Sequence, residues 1–338
     1  MKIKVLPTIS IITLTYNADP VMWEKTLEAL KSQNYPEKDI EHIVMDGGST
    51  NQTVVIAEKY GCKTFIVPRL KDNSEGRKGV GIAKAKNDII LFLEADNIMV
   101  GTDWLSRMVE PFMDDKNITG TFSMWNSYEK DMPALTRYTN LIGINDPTVW
   151  YLGKSEKLPR FETTYDKGEL LKDTKRYSVV RFRKDTLPTL GDNGHMVRRT
   201  VINRVNGKPE EFLHTDSFAK LLALGFDTYG VVKNSIIHYS GSNIWKLYKR
   251  RTTFKAEFLD SQEKKRHYFV FDKTSARDRR NLILFVIYSL TVIQPLWISI
   301  RGYMAHKDSA WFLHPIVCLA AVIAYGYSEI ATKFAKKR

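Results

Sequence analysis

The chain has 338 residues, long enough for one large domain or two smaller ones, and its 43% hydrophobic content is ordinary for a globular core. A net charge of +13 admits nucleic acid, an anionic membrane surface or phosphate-bearing substrates as partners. Many Lys and Arg residues lie within 246–280 and beyond 331, flanking apolar runs, which favours lipid headgroups and argues against nucleic acid.

Met1 leads through Lys2 and Lys4 into a strand-like segment, so no secretory signal is expected. Residues 9–14 read as a first strand and 21–33 as a helix; 40–45, 64–68, 89–93 and 119–124 are further buried-strand runs. Short β-branched runs alternating with helical stretches predict βαβ units and an α/β fold with a mostly parallel sheet from residue 8 to about 237. Each apolar run ends in polar residues, where ligands bind in open α/β sheets. Cys62 falls in this polar region and Cys318 in an apolar run, so no disulfide is expected and a reducing compartment fits.

Between 125 and 190 the periodicity fades into a Tyr-, Lys-, Asp- and Pro-rich segment too long for a plain connection, read either as an acceptor-side insertion or as a surface excursion. Residues 243–272 mix Ile244, Trp245, Leu247, Tyr248, Phe254, Phe258 and Leu259 with Lys246, Lys249, Arg250, Arg251, Lys255, Lys264, Lys265 and Arg266. That composition predicts a helix in the headgroup plane, with a core-facing amphipathic helix as the alternative. Residues 281–300 and 309–328 contain no Asp, Glu, Lys or Arg, and each is of membrane-spanning length as a helix. They predict a transmembrane hairpin within 281–330. Arg277, Arg279 and Arg280 precede it and Lys333, Lys336, Lys337 and Arg338 follow, so the positive-inside rule expects both ends, including the basic tail 331–338, in the cytoplasm.

Carboxylates stand at strand or loop ends: Asp46 in VMDGGST, Glu94 and Asp96 in LEADN, and Asp216 in HTD. Taken singly, each fits a helix cap or a turn. Two carboxylates separated by one residue after a buried strand also fit a hard cation such as Mg²⁺ or Mn²⁺, which would bridge a diphosphate and neutralise the leaving group.

In their order, these segments resemble the family 2 glycosyltransferases and their GT-A nucleotide-sugar-binding fold, over roughly residues 8–240. SIITLTYN is similar to the family's first strand and its nucleotide-contacting end, which implies donor contacts by Thr15, Tyr16 and Asn17. DGGST resembles the acidic nucleoside-binding motif, with Asp46 its carboxylate and Gly47 replacing a second Asp. Residues 78–82 resemble the Arg-Asn-x-Gly-Ile segment, giving Lys78 a donor-side role. Glu94-Ala95-Asp96 takes the place of the Asp-x-Asp signature, which makes Asp96 a direct metal ligand and Glu94, a departure, a ligand of the ribose or of a metal-bound water. GDNG with Arg198 and Arg199 resembles the loop that passes the donor sugar and brings Asn193 to it. Asp216 then corresponds to the catalytic base, though Thr215 replaces the usual Glu. His238 matches a histidine that in some relatives completes the metal site, a structural histidine being the alternative. Arg250 and Arg251 stand where membrane-bound polymer-making relatives carry Gln-x-x-Arg-Trp; the resemblance implies contact with the donor diphosphate, and the missing Gln and Trp argue against processive synthesis.

The resemblance extends to polyprenyl- and dolichyl-linked sugar transferases and to a minimal cellulose-synthase-like architecture. It divides the chain into a GT-A domain over 1–240, interfacial helices over 241–280, the hairpin and the tail. It implies an inverting, metal-dependent transfer of a hexose such as mannose or glucose from a UDP- or GDP-linked donor to a lipid-linked acceptor at the cytoplasmic face of the membrane. Two other readings fit the same residues: a nucleotidyltransferase on a similar fold, and a membrane scaffold with a decayed transferase domain.

Overall fold

In the computed structural model, which describes residues 5–255 and 266–335, the β-branched run ISIITLT forms β1 (Ile9–Thr15). The chain divides into two units, one of Met1–Trp125 with Thr164–Tyr239 and one of Asn126–Thr163 with Ser240–Arg338. The remaining strands are β2 (Ile40–Asp46), β3 (Lys63–Ile66), β4 (Ile89–Phe92), β5 (Asn97–Met99), β6 (Gly120–Ser127), β7 (Glu169–Asp173), β8 (Tyr177–Arg181), β9 (His195–Arg198) and β10 (Thr228–His238). They form one sheet in the order β3-β2-β1-β4-β9-β6-β10-β8-β7, with β5 pairing to β10.

The first unit is the expected α/β fold, but its sheet is mixed rather than mostly parallel. Only the β3-β2-β1-β4 side is parallel. Parallel neighbours need crossovers, and the helices Pro20–Lys31, Thr53–Lys59 and Ser74–Lys84 supply them. Beyond β4 the pairs β4–β9, β6–β9, β8–β10, β7–β8 and β5–β10 are antiparallel, only β7 and β8 being joined by a short turn. A core around Ile11, Leu91, Trp104, Met108 and Met196 buries the sheet. Asp19 caps the first helix by accepting from the Met22 N–H at 3.0 Å, and Pro20 takes the first helical position, where its missing N–H costs nothing. These elements bring the carboxyl ends of β1, β2 and β4 to one edge, next to the carboxyl end of β10.

The segment expected as a single excursion over 125–190 is divided between the units. Residues 126–163 belong to the second and 164–190, with β7 and β8, to the first.

The second unit is helical: Ala134–Ile142, Pro147–Tyr151, Ile244–Phe254, Ala276–Thr291, Ile293–Ala305 and His314–Ala335, with a 3₁₀ turn at Ser309–Leu313. Its core gathers Tyr138, Leu141, Tyr248, Phe285, Ile298, Trp311 and Cys318. Gly302 lets the Trp311 ring lie against its helix, since a Cβ there would come within 2.3 Å of the indole.

Where a hairpin of two spanning helices was expected, the structure has one helix of spanning length and one bent pair. The run 281–300 is interrupted at Val292, which takes a left-handed φ of 63°, and the helices on either side meet at 83°. Pro295 accounts for the break: it has no N–H to donate to the carbonyl of Thr291, and its ring would clash there in a continuous helix. The arms of 16 and 13 residues reach ~24 and ~20 Å, each short of a ~30 Å hydrocarbon core. Ser309–Ala331 remains the one helical stretch among the described residues that alone is long and apolar enough to cross.

A helix forms over Ile244–Phe254, where Asn243 accepts from the Lys246 N–H at 2.9 Å. Leu247 and Tyr248 are buried, while Trp245, Lys246, Lys249 and Arg250 are exposed. Phe258, Leu259, Lys264 and Lys265 of that stretch, Lys2 and Lys4 at the start, and Lys336, Lys337 and Arg338 of the tail lie outside the described residues.

Candidate active site

Where β1 and β2 end, the chain builds a tight polar loop. Asp46 is fully buried and its carboxylate accepts from the Thr15 hydroxyl (2.9 Å), the Gly48 and Ser49 N–H groups (2.7 Å each) and the Ser49 hydroxyl (2.5 Å). Asn17, at a φ of 47°, accepts from the Thr50 N–H at 2.9 Å, and its own N–H donates to Ser49 Oγ at 2.8 Å. Thr15, Asn17 and Asp46 therefore stand together and hold one another in place. Tyr16, between them, is 39% exposed and carries the Lys71 ammonium over its ring at 4.9 Å. That aromatic face at a strand end is suited to a planar base.

The edge after β4 holds the second constellation. Asp96 lies 3.7 Å from His238 Nε2 at the end of β10, and its backbone carbonyl accepts from the Tyr239 N–H at 3.0 Å. Asn97 links the neighbouring loops, donating through Nδ2 to Asp96 (3.4 Å) and to Asn193 Oδ1 (3.3 Å), while its Oδ1 accepts from the Glu94 N–H (3.1 Å). The register pair His238↔Asn97 holds β10 against β5 and so brings His238 to Asp96. Asp96, His238 and Asn193 thus converge.

Glu94 turns elsewhere. It faces Lys78, at 3.3 Å, and Lys78, 2% exposed, is also bonded to Asp192. Glu75, one turn before Lys78 on the same helix, accepts from His214 Nδ1 and the His214 N–H, both at 2.9 Å, and His214 Nε2 lies 3.9 Å from Asp192. The result is a closed network of Glu75, His214, Asp192, Lys78 and Glu94. Burial works against the Lys78 ammonium, but Asp192, Glu94 and Glu75 outweigh it and hold its pKa well above the usual value. Burial likewise favours neutral Asp192 and Glu75 and neutral His214. Lys78 and His214 nevertheless hold the Asp192 carboxyl far down, His214 and Lys78 lower Glu75, and Glu75 and Asp192 raise His214. Glu94 goes the other way: burial, with Asp192 beside it, overrides Lys78 and pushes it up to about 8.

Asp216, 7% exposed, occupies the first turn of the helix His214–Ala223, where the helix dipole favours a carboxylate. Arg250 and Arg251 belong to the second unit, on Ile244–Phe254. Arg198 and Arg199, read with the donor loop, instead tie down backbone: Arg198 donates to the carbonyls of Ile118 (2.8 Å) and Phe112 (3.0 Å), and Arg199 to that of Asn87 (2.7 Å).

One residue escaped the sequence reading. Arg77 is 4% exposed, and its Nε and Nη1 have no hydrogen-bond partner among the described residues. Its guanidinium rests on Gly47, where a Cβ would fall 1.8 Å from Nη1, and the charges of Asp46, Glu94 and Asp72 act on it. A buried, unsatisfied cation between the Asp46 loop and the Glu94 edge is costly unless an anion completes it. The available signal was spacing: Glu75, Lys78 and Ile82 recur on one face of the helix and Arg77 and Gly81 on the adjoining one, so its charges turn inward with the apolar residues.

Among the described residues no three His, Cys, Asp or Glu side chains converge as a metal cluster. Asp96, one-third exposed, and His238 are donor types that suit a cation whose remaining ligands are phosphate oxygens and water.

The model of the family described as "Glycosyl transferase family 2" matches residues 10–185, just over half of the chain. The chain is 35% identical over 92 residues to the poly(ribitol-phosphate) beta-N-acetylglucosaminyltransferase TarS of Staphylococcus aureus, covering 26% of this chain and 16% of that one. It is 28% identical over 97 residues to a GalNAc(5)-diNAcBac-PP-undecaprenol beta-1,3-glucosyltransferase of Campylobacter jejuni, covering 27% and 30%. These matches span less than a third of either relative. Among solved structures, the mannosyltransferase PcManGT of Pyrobaculum calidifontis, in complex with GDP-Man and Mn²⁺, is similar with a TM-score of 0.47 at 13% identity, covering 94% of this chain and 87% of that one.

Proposed function

The chain belongs to glycosyl transferase family 2, and on that premise we propose that its first unit transfers a hexose, with inversion, from a UDP- or GDP-linked donor to a lipid-linked acceptor at the cytoplasmic face of a membrane. The observation that carries this reading is the pairing of Asp96 with His238, 3.7 Å apart at the end of β10.

In this reading Tyr16 stacks on the base, and Thr15, Asn17 and Asp46 form the nucleoside-facing loop. Asp46 already spends its acceptors on that loop, so its part is to shape the nucleoside pocket. Arg77 supplies N–H donors to the diphosphate through the buried Nε and Nη1 that have no hydrogen-bond partner among the described residues. Asp96 and His238 would hold Mg²⁺ or Mn²⁺, which when bound neutralises charge on the departing nucleoside diphosphate. Glu94, turned to Lys78 at 3.3 Å, stands back from that role and braces the Asp192–Asn193 loop. Asn193 meets the sugar, and Asp216, at the start of its helix, takes the proton from the acceptor hydroxyl as the oxygen attacks the anomeric carbon opposite the leaving group. The undecaprenol-linked substrate in the Campylobacter relative's name and the apolar helices of the second unit support a lipid-linked acceptor.

The test is a panel of UDP- and GDP-hexoses given to the purified full chain with Mn²⁺ and a lipid extract. Release of a nucleoside diphosphate that rises with the lipid extract supports the reading. Absence of release from every donor, or release unaffected by Asp96→Asn, overturns it.

A further inference from the structure

The second unit carries two exposed apolar stripes. On Ser309–Ala331 and the turn that opens it, Phe312, Ile316, Leu319, Ile323, Tyr327 and Ile330 are all exposed and recur every three or four residues, which makes one continuous helical face. The bent pair shows a second stripe, with Ile283, Ile287 and Leu290 on one arm and Ile293, Trp297 and Met304 on the other.

The opposite face of the long helix is tied to polar groups along its length. Asp308, just before it, pairs with Arg137 at 3.0 Å; the Tyr138 hydroxyl meets His314 at 2.7 Å; the Tyr248 hydroxyl donates to the Val317 carbonyl at 3.1 Å; Tyr325 donates to Asp146; and Glu329 pairs with Lys255 at 2.6 Å. From 308 to 329 is roughly 30 Å of helix, a full hydrocarbon thickness. The two contacts of the Ile244–Phe254 segment, Tyr248 to Val317 and Lys255 to Glu329, run that helix alongside the long one, with Lys249 and Arg250 exposed between them. A spanning orientation would carry those cations through the bilayer interior.

We propose that the second unit is monotopic: the bent pair and the C-terminal helix lie in the plane of one leaflet, both stripes sunk to one shallow level. The occupant of the apolar face is an anionic phospholipid surface. The stripes are lined by exposed cations, Lys246, Lys249, Arg250, Arg279, Arg280 and Arg301, which complement anionic headgroups, and neither arm of the bent pair is long enough to reach the far side. The inference deepens the membrane-held acceptor reading above and rests on it only for the presence of lipid.

The test uses the full chain in the Cys62→Ser, Cys318→Ala background, with single cysteines at Phe312, Leu319 and Ile330 carrying nitroxides, on phosphatidylcholine–phosphatidylglycerol vesicles. An in-plane helix places all three within the same ~5–10 Å zone below the headgroups. A spanning helix places Leu319 about 10 Å deeper than Phe312, with Ile330 at the other face, and that graded profile overturns the proposal, as does absence of vesicle binding. The unmodified chain, added to sealed vesicles, gives a second reading. Lys307, between the bent pair and the long helix, is labelled by a membrane-impermeant amine reagent if the unit is monotopic; protection until the vesicles are opened overturns it. Transfer to the lipid extract in detergent, measured in parallel, reads the acceptor separately. A graded profile with transfer intact removes the seat alone, and a flat profile without transfer removes the acceptor alone.

Discussion

Arg77→Met should weaken donor binding and strengthen the fold at once. In the absence of donor, the Arg77 guanidinium is 4% exposed with Nε and Nη1 unpartnered, and such unsatisfied buried groups cost ~1–3 kcal/mol each, more when charged. Methionine keeps an unbranched stem in the same space and removes the unpaired donors, so the nucleotide-free domain should gain about 1–3 kcal/mol. The donor diphosphate loses charge-assisted hydrogen bonds worth ~1.5–3 kcal/mol, which corresponds to about 10- to 150-fold in affinity. Calorimetric titration with UDP and GDP in Mn²⁺ reads the second effect, and urea unfolding without nucleotide reads the first. Arg77→Lys, which keeps the charge but loses the fork, should fall between wild type and methionine in binding. A methionine variant that binds nucleotide as tightly as wild type, or that is less stable without it, would refute the reasoning.

Asp96→Asn should abolish the metal dependence of donor binding while leaving the thermal transition of the first unit nearly unchanged, since the Asp96 side chain is one-third exposed and its backbone carbonyl carries the tie to Tyr239. Asp216→Asn should retain donor affinity and lower the transfer rate at least ~100-fold, the usual share of a general base; full transfer to a hydroxyl acceptor would remove Asp216 from that role. The Glu75–His214 pair should give a pH window. His214 is raised above 6.5, so its contribution is complete below that value and is lost as pH rises through the higher folded pKa. Glu75 is lowered from 4.5, so its contribution is complete above that value and is lost as pH falls. The stability difference between wild type and Glu75→Gln should therefore peak in mildly acid solution, and a difference flat from acid to alkaline pH would contradict the pairing.

The parallel strands were legible because each is a β-branched run closed by polar residues: β1, β2 and β4 start where their runs start. In the antiparallel half only β6 was, as the run 119–124. β7 has every residue exposed, and β9 and β10 draw their pairing from strands distant in sequence, which local periodicity does not encode. Asp96 and His238 were singled out through motif resemblance, and the fold brings them within 3.7 Å across a long sequence separation. Glu94 has a partner that was not legible: it meets Lys78 at 3.3 Å, a residue of another element whose inward turn no strand-end pattern announces. The apolar run 281–300 read as a span because hydropathy counts residues and not dihedrals; Val292 and Pro295 break it at its middle.

The central claim is that the unit built around Asp96, His238 and Arg77 cleaves a sugar–phosphate bond and moves the sugar. A donor labelled with one isotope in its hexose and another in its β-phosphate tests this most directly, supplied with Mn²⁺ and lipid extract to the full chain. The account predicts hexose label in the lipid fraction and phosphate label in nucleoside diphosphate. Phosphate label in pyrophosphate or in the lipid would contradict it and indicate nucleotidyl or sugar-phosphate transfer instead.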